Sequence, residues 1–209
     1  LSALLIIFSC TNNNNKPEYL PILGEKDVFG KDTIYNTIPA FRFLNQDSVW
    51  ITEEDYPGVY IADFFYSTCP GICPIMTKEM VRVQKFIHEK KLDVKILSHS
   101  VDPEKDNPRV LKEYARKKGA NFSNWNFVTG DKKAIYDLAY NEFKAATIDG
   151  GEIDTAFLHT SKFYLLDKDR VIRGWYNGTD TLEMARMARD IGLLFLEKDK
   201  KKKRNLFRK

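Results

Sequence analysis

Val59-Tyr60-Ile61-Ala62-Asp63-Phe64-Phe65-Tyr66-Ser67-Thr68-Cys69-Pro70-Gly71-Ile72-Cys73-Pro74 is the stretch from which the rest of the chain can be organised. Residues 59–66 form a near-continuous apolar run of strand length, the pattern of a central strand buried on both faces. Beyond the second cysteine, apolar positions recur at Met76, Met80, Val83 and Ile87, the spacing of a helix over 75–88. Cys69 therefore falls where a central strand ends and Cys73 at or near the start of the next helix. In open α/β sheets that edge is where ligands bind. A helix N-terminus favours negative charge and so lowers the pKa of a nearby thiol, and Pro74 suits the first turn. Three residues between the cysteines give a wider loop than C-x-x-C. Such a loop can hold an ion between the sulfurs and still close to a disulfide after modest movement.

Outward from this unit, Asn45-Gln46-Asp47 between apolar flanks predicts a hairpin over 38–51. A second strand is expected at 94–101, ended by Asp102-Pro103, and a helix at 108–118 with Pro108 in its first turn and Gly119 past its end. A short strand at 126–128 follows, then a helix capped by Asp131 and running to about Phe143. Gly150-Gly151 marks the turn of an inserted hairpin. Strands at 162–166 and 171–176 flank Asp167-Lys168-Asp169-Arg170, and an amphipathic helix at 179–196 closes the domain. Alternating βα units imply a partly parallel sheet with helices on its faces. The expected class is α/β, a thioredoxin-like three-layer fold with an extra N-terminal β-hairpin and a small inserted hairpin.

A third residue decides between chemistries. Thioredoxin-like oxidoreductases usually set a cis-proline opposite their cysteines, just before the later antiparallel strand. Here that stretch reads Ala156-Phe157-Leu158-His159-Thr160-Ser161-Lys162-Phe163, with no proline and with His159 in its place. Two thiolates and one imidazole suit copper: sulfur stabilises Cu(I) and the imidazole makes Cu(II) tolerable. Zinc fits less well, because its structural sites take four protein ligands. Plain thiol–disulfide exchange, which needs only Cys69 and Cys73, stays open. Of the other histidines, His88 at the end of a Lys-rich helix reads as a solvated surface residue, and His99 as a core or edge residue. Met76 and Met80 have the soft sulfur of copper ligands, but their helical spacing reads as core packing.

The chain of 209 residues is long enough for one well-buried domain. Its formal charge of +4 hides an asymmetry, because residues 198–209 carry eight basic side chains against Asp199, leaving the remainder at −3. Such a segment can touch nucleic acid or anionic lipid; the reading adopted is a solvated terminal tail, with no nucleic-acid partner. At the other end, the apolar run 1–8 is too short for a spanning helix and fits the end of a signal-peptide h-region. Ile7-Phe8-Ser9-Cys10 then resembles a bacterial lipobox, with Cys10 acylated and the Asn-rich 11–16 as a tether. This divides the chain into a signal remnant, lipobox and tether (1–19), one copper-binding domain (20–197) and a basic tail (198–209). It places the domain in the cell envelope, lipid-anchored to a membrane and facing the periplasm. With Cys10 assigned to lipid, two of the three cysteines remain, both in one motif, so no wider disulfide framework exists.

The motif 63–74, the run Val101-Asp102-Pro103-Glu104-Lys105-Asp106 and the His159 segment with its two following strands together resemble the Sco/SenC family of copper-binding, thioredoxin-like proteins over roughly residues 35–195. The resemblance implies that Cys69, Cys73 and His159 bind one copper ion, as Cu(I) or Cu(II). It also implies a role in building the binuclear copper centre of cytochrome c oxidase, by delivering copper, by reducing the recipient's cysteines, or both. A partner thiol–disulfide reductase activity is the alternative reading. Two positions depart from the family pattern: Gly71 stands where an acidic residue is common in the loop, and Leu158 where Asp often precedes the ligand histidine. Both changes remove negative charge near the proposed ion and leave the imidazole without an assigned outer partner.

Overall fold

Seven of the eight residues of the apolar run become buried strand positions, β5 (Val59–Phe65), inside a seven-stranded sheet, with Tyr66 buried just past its end. The computed structural model describes residues 19–23, 26–29, 32–145 and 160–206. In chain order these hold β1 (Lys26–Phe29), β2 (Asp32–Tyr35), β3 (Arg42–Asn45), β4 (Trp50–Thr52), β5, α1 (Cys73–Glu89), β6 (Val94–Ser100), α2 (Pro108–Lys118), β7 (Trp125–Thr129), α3 (Lys132–Asp137), β8 (Lys162–Leu166), β9 (Ile172–Asn177) and α4 (Thr181–Leu206). The large sheet has the order β4-β3-β7-β6-β5-β8-β9, while β1 and β2 pair only with each other. β5, β6 and β7 are parallel, as βα crossovers require. β8 runs antiparallel to β5 and β9 to β8, and β3 closes the other side antiparallel to β7.

Helices lie on both faces. Phe65 meets Tyr114 of α2 and Phe127 of β7 on one face, where α1 packs against α2 and α4. On the other face Phe64 meets Phe143, and His99 sits among Phe41, Phe43 and Phe64. Met76 and Met80 are fully buried in α1, the packing role expected of them. His99 is buried too, whereas the exposed His88 contacts Asn124 at the surface.

Local signals act as their chemistry dictates. The Asn45 side chain accepts the amides of Asp47 and Val49, closing the β3–β4 hairpin. Asn107 caps α2, and Gly119 ends it at φ 83°, a left-handed position that suits glycine. Asp131 caps α3, which passes into a π-helical turn at Leu138–Glu142 instead of continuing as α-helix. Two elements depart from the sequence reading. The β1–β2 pair was not expected, and α4 continues to Leu206 instead of ending near 196. Lysine and arginine propagate helix well, and cations complement its C-terminal end. The expected hairpin around Gly150-Gly151 lies outside the described residues.

Behind the sheet, Arg173 of β9 is a buried junction. Its guanidinium donates to the carbonyls of Leu20 and Pro21, to Asp167 and to both carboxylate oxygens of Glu197 on α4, while the Leu20 amide donates back to Glu197 at 2.8 Å.

Candidate thiol and metal site

β5 leaves the sheet through a tight turn in which the Cys69 amide donates to the Tyr66 carbonyl at 3.2 Å. Thr68, Pro70 and Gly71 are exposed along this loop, yet both cysteine side chains fold inward and are buried. The two thiols are free and hydrogen-bonded to each other. Helix α1 starts at Cys73 itself, with Pro74 in its first turn and no acidic residue there. Thr77 donates to the Cys73 carbonyl, and the Tyr114 hydroxyl donates to Thr77 at 2.7 Å, tying this first turn to α2.

The two sulfurs differ in acidity. For Cys69, burial opposes ionisation, but it is outweighed by hydrogen bonds from the Cys73 thiol, the Cys73 and Gly71 amides and the Tyr66 side chain. Its thiol therefore lies below the ordinary value. Burial pushes the Cys73 thiol well above it, and the bond to Cys69 and the charges of Cys69 and Asp63 act in the same direction. The helix N-terminus thus favours the thiolate of Cys69, the cysteine outside the helix, over that of Cys73, which begins it. Asp63, beneath the pair on β5, accepts from Ser98, whose oxygen in turn accepts from the Trp125 indole. Burial raises its carboxyl to about 7.

A second carboxylate braces the loop from outside the motif. Asp106 is fully buried and accepts three bonds, from the Ser67 amide at 2.9 Å, the Ser67 hydroxyl and the Ser100 hydroxyl. The sequence offered Asp106 only as part of the 101–106 run. Its contact with Ser67, 39 residues away, leaves no mark in local pattern, and neither does that of Tyr114 with Thr77.

Of the four residues singled out from the sequence, Cys69 and Cys73 are brought together, while His159 and Cys10 lie outside the described residues. Among the described residues no group of three or more His, Cys, Asp and Glu surrounds a point suited to a metal ion. The donor chemistry of the pair still fits a soft ion: two neighbouring sulfurs, one of them readily ionised. β8 runs antiparallel to β5 with Ala62 opposite Tyr164 and Tyr60 opposite Leu166. The start of β8, and with it the buried Thr160, therefore enters the sheet at the end of β5 that leads to Cys69. A cavity of about 280 Å³ bordered by Leu23, Phe143, Lys162, Tyr164 and Trp175 includes neither cysteine. Among the described residues no helix is long and apolar enough to cross a membrane.

Comparison with known proteins agrees with this architecture. The SCO1/SenC family model matches residues 31–194. A SCO1/SenC family lipoprotein from Bacillus anthracis superposes with a TM-score of 0.68 at 33% identity, covering 76% of this chain and 94% of that one. BsSco, described as a member of the Sco family of cytochrome c oxidase assembly proteins with a disulfide switch, gives 0.65 at 35% identity over 75% and 91%. ScoI of Bradyrhizobium japonicum, solved with copper bound, shares the fold with a TM-score of 0.60 at 23% identity over 76% and 99%. The chain belongs to the SCO1/SenC family.

Proposed function

We propose that this protein is a copper carrier of the cell envelope that holds one copper ion between Cys69, Cys73 and His159 and serves assembly of the binuclear copper centre of cytochrome c oxidase. The observation that carries the reading is the meeting of two chain segments at one sheet edge. The paired free thiols follow the end of β5, and the peptide that follows His159 enters β8 beside that same end. Copper is the cargo here. Cys69, whose thiol is shifted down, is the readier of the two to ionise, and Cys73 loses its proton as the ion binds. The bound copper of the Bradyrhizobium relative and the oxidase-assembly role of BsSco support the choice of ion and of recipient. The lipobox-like run ending at Cys10 supports attachment by lipid on the periplasmic side, as does the lipoprotein relative from Bacillus anthracis.

The test is copper titration of the reduced protein. About one ion should bind per chain, with sulfur-to-copper charge transfer for Cu(II). An unchanged stoichiometry and spectrum in His159→Ala refutes the ligand set. A second reading, thiol–disulfide exchange with a partner protein, is favoured by the acidity difference within the pair and by the disulfide switch of BsSco. The Cys69 thiolate would attack a partner disulfide and release one partner thiol. Cys73 would then attack Cys69, freeing the second thiol and leaving Cys69–Cys73 oxidised by two electrons. That activity should survive in copper-free protein carrying His159→Ala.

A further inference from the structure

We infer that Asp106 is the positioning residue of the thiol site: it holds the turn that presents Cys69 in the reduced geometry, so that closure to a disulfide must be accommodated by Pro70, Gly71 and Ile72. Asp106 is completely buried and lies in the turn between β6 and α2. It is itself fixed, since its amide donates to the Asp102 carbonyl at 2.9 Å and the adjacent Asn107 caps α2. Both of its oxygens are engaged, and two of its three donors belong to Ser67, the second residue of the Tyr66–Cys69 turn. The third, Ser100, also accepts the Asp102 amide, and the next residue, Val101, donates to the Phe65 carbonyl at 2.8 Å. The exits of β5 and β6 and the turn before α2 are thus joined through one carboxylate.

Only an acceptor-only, two-oxygen side chain satisfies this arrangement. A carboxylate takes three donors at once, and charge-assisted bonds of this kind are among the stronger ones. On the far side of Cys69, no carboxylate among the described residues braces Pro70 or Gly71 in this way. Pro70 and Gly71 are exposed, and a β-carbon placed on Gly71 would meet nothing within 4 Å among the described residues. The pair therefore has a fixed member, Cys69, and a yielding stretch beyond it. The braced turn is found together with free thiols, and loosening it frees Cys69 to move toward Cys73 for closure.

The inference rests on Cys69 and Cys73 being the working pair, and its readout is independent of copper, so failure of the copper reading leaves it testable. The experiment equilibrates metal-free protein with glutathione, in which the disulfide plus two glutathione thiols give the dithiol plus one glutathione disulfide. Asp106→Ala should shift this constant toward the protein disulfide by about tenfold. Asp106→Asn, which keeps an acceptor for the Ser67 amide, should recover most of that shift. Ser67→Ala, lacking only the hydroxyl bond, should move the constant the same way by less, and Glu104→Gln at the exposed end of the same turn should not move it. A folded Asp106→Ala protein with an unchanged constant, or one shifted toward the dithiol, overturns the proposal. If Asp106→Ala does not fold, an unchanged constant in Ser67→Ala overturns it instead.

Discussion

The imidazole of His99 donates through Nδ1 to the main-chain carbonyl of Asp63 at 3.1 Å, joining two buried titratable residues on neighbouring strands whose acidities move in opposite senses. Burial lowers His99 to about 4 and raises Asp63 to about 7. Since a carbonyl only accepts, the proton sits on Nδ1, and Nε2 faces the aromatic cluster with no hydrogen-bond partner among the described residues.

These shifts carry opposite signs into the pH dependence of stability. As pH falls from about 6.5 to about 4, the unfolded chain binds a proton at His99 that the folded chain refuses, so stability is lost. As pH rises from about 4 to about 7, the unfolded chain ionises Asp63 while the folded chain holds it protonated, so stability is again lost. Asp63→Asn should therefore gain stability relative to wild type as pH rises through that window, and His99→Phe as it falls. Urea midpoints between pH 4 and 8 measure both. A variant whose profile runs parallel to wild type disproves the corresponding assignment.

The thiols should react unequally. Limited alkylation at neutral pH followed by peptide mapping should find the first adduct on Cys69, by about tenfold or more over Cys73, because hydrogen bonds outweigh burial at Cys69 whereas burial dominates at Cys73. Equal labelling would contradict the asymmetry.

Gly71 is not held by conformational need. Its φ is not in the left-handed region, and among the described residues no atom lies where a β-carbon would go. Gly71→Glu should fold with an unfolding free energy within about 0.5 kcal/mol of wild type, while its added charge slows alkylation of Cys69. A large loss of stability would show that the loop needs glycine.

Arg173→Met should lower stability by about 3 kcal/mol, because it strands the partly buried Asp167 and Glu197 and removes the donors to Leu20 and Pro21. Its copper stoichiometry should match wild type. A change confined to copper binding, with stability intact, would mean that the junction serves the site.

Much of the fold was legible because its signals are local. The near-continuous apolar run became a central strand, Asn45 closed its hairpin through its own side chain, and Asn107 and Gly119 bounded α2. The β1–β2 pair escaped notice because Lys26–Phe29 and Asp32–Tyr35 are too short and mixed for a period to emerge. The π turn after α3 likewise has no compositional mark. At the site, the cysteines were legible from motif and placement. The supports were not, since Asp106, Tyr114 and Asp63 gain their roles from partners 39, 37 and 35 residues away. Local pattern carries nothing over such separations.

The Arg173 junction also gives the molecule a direction. Leu20 is fastened beside β9 near Ile172, which pairs with Leu166, which in turn lies opposite Tyr60 at the start of β5. Cys69 follows the other end of that strand, roughly 20 Å away at about 3.3 Å per residue. The described chain therefore begins at the pole remote from the sulfurs, and with the proposed attachment through Cys10 the cysteines would face away from the membrane, toward whatever approaches from the aqueous side.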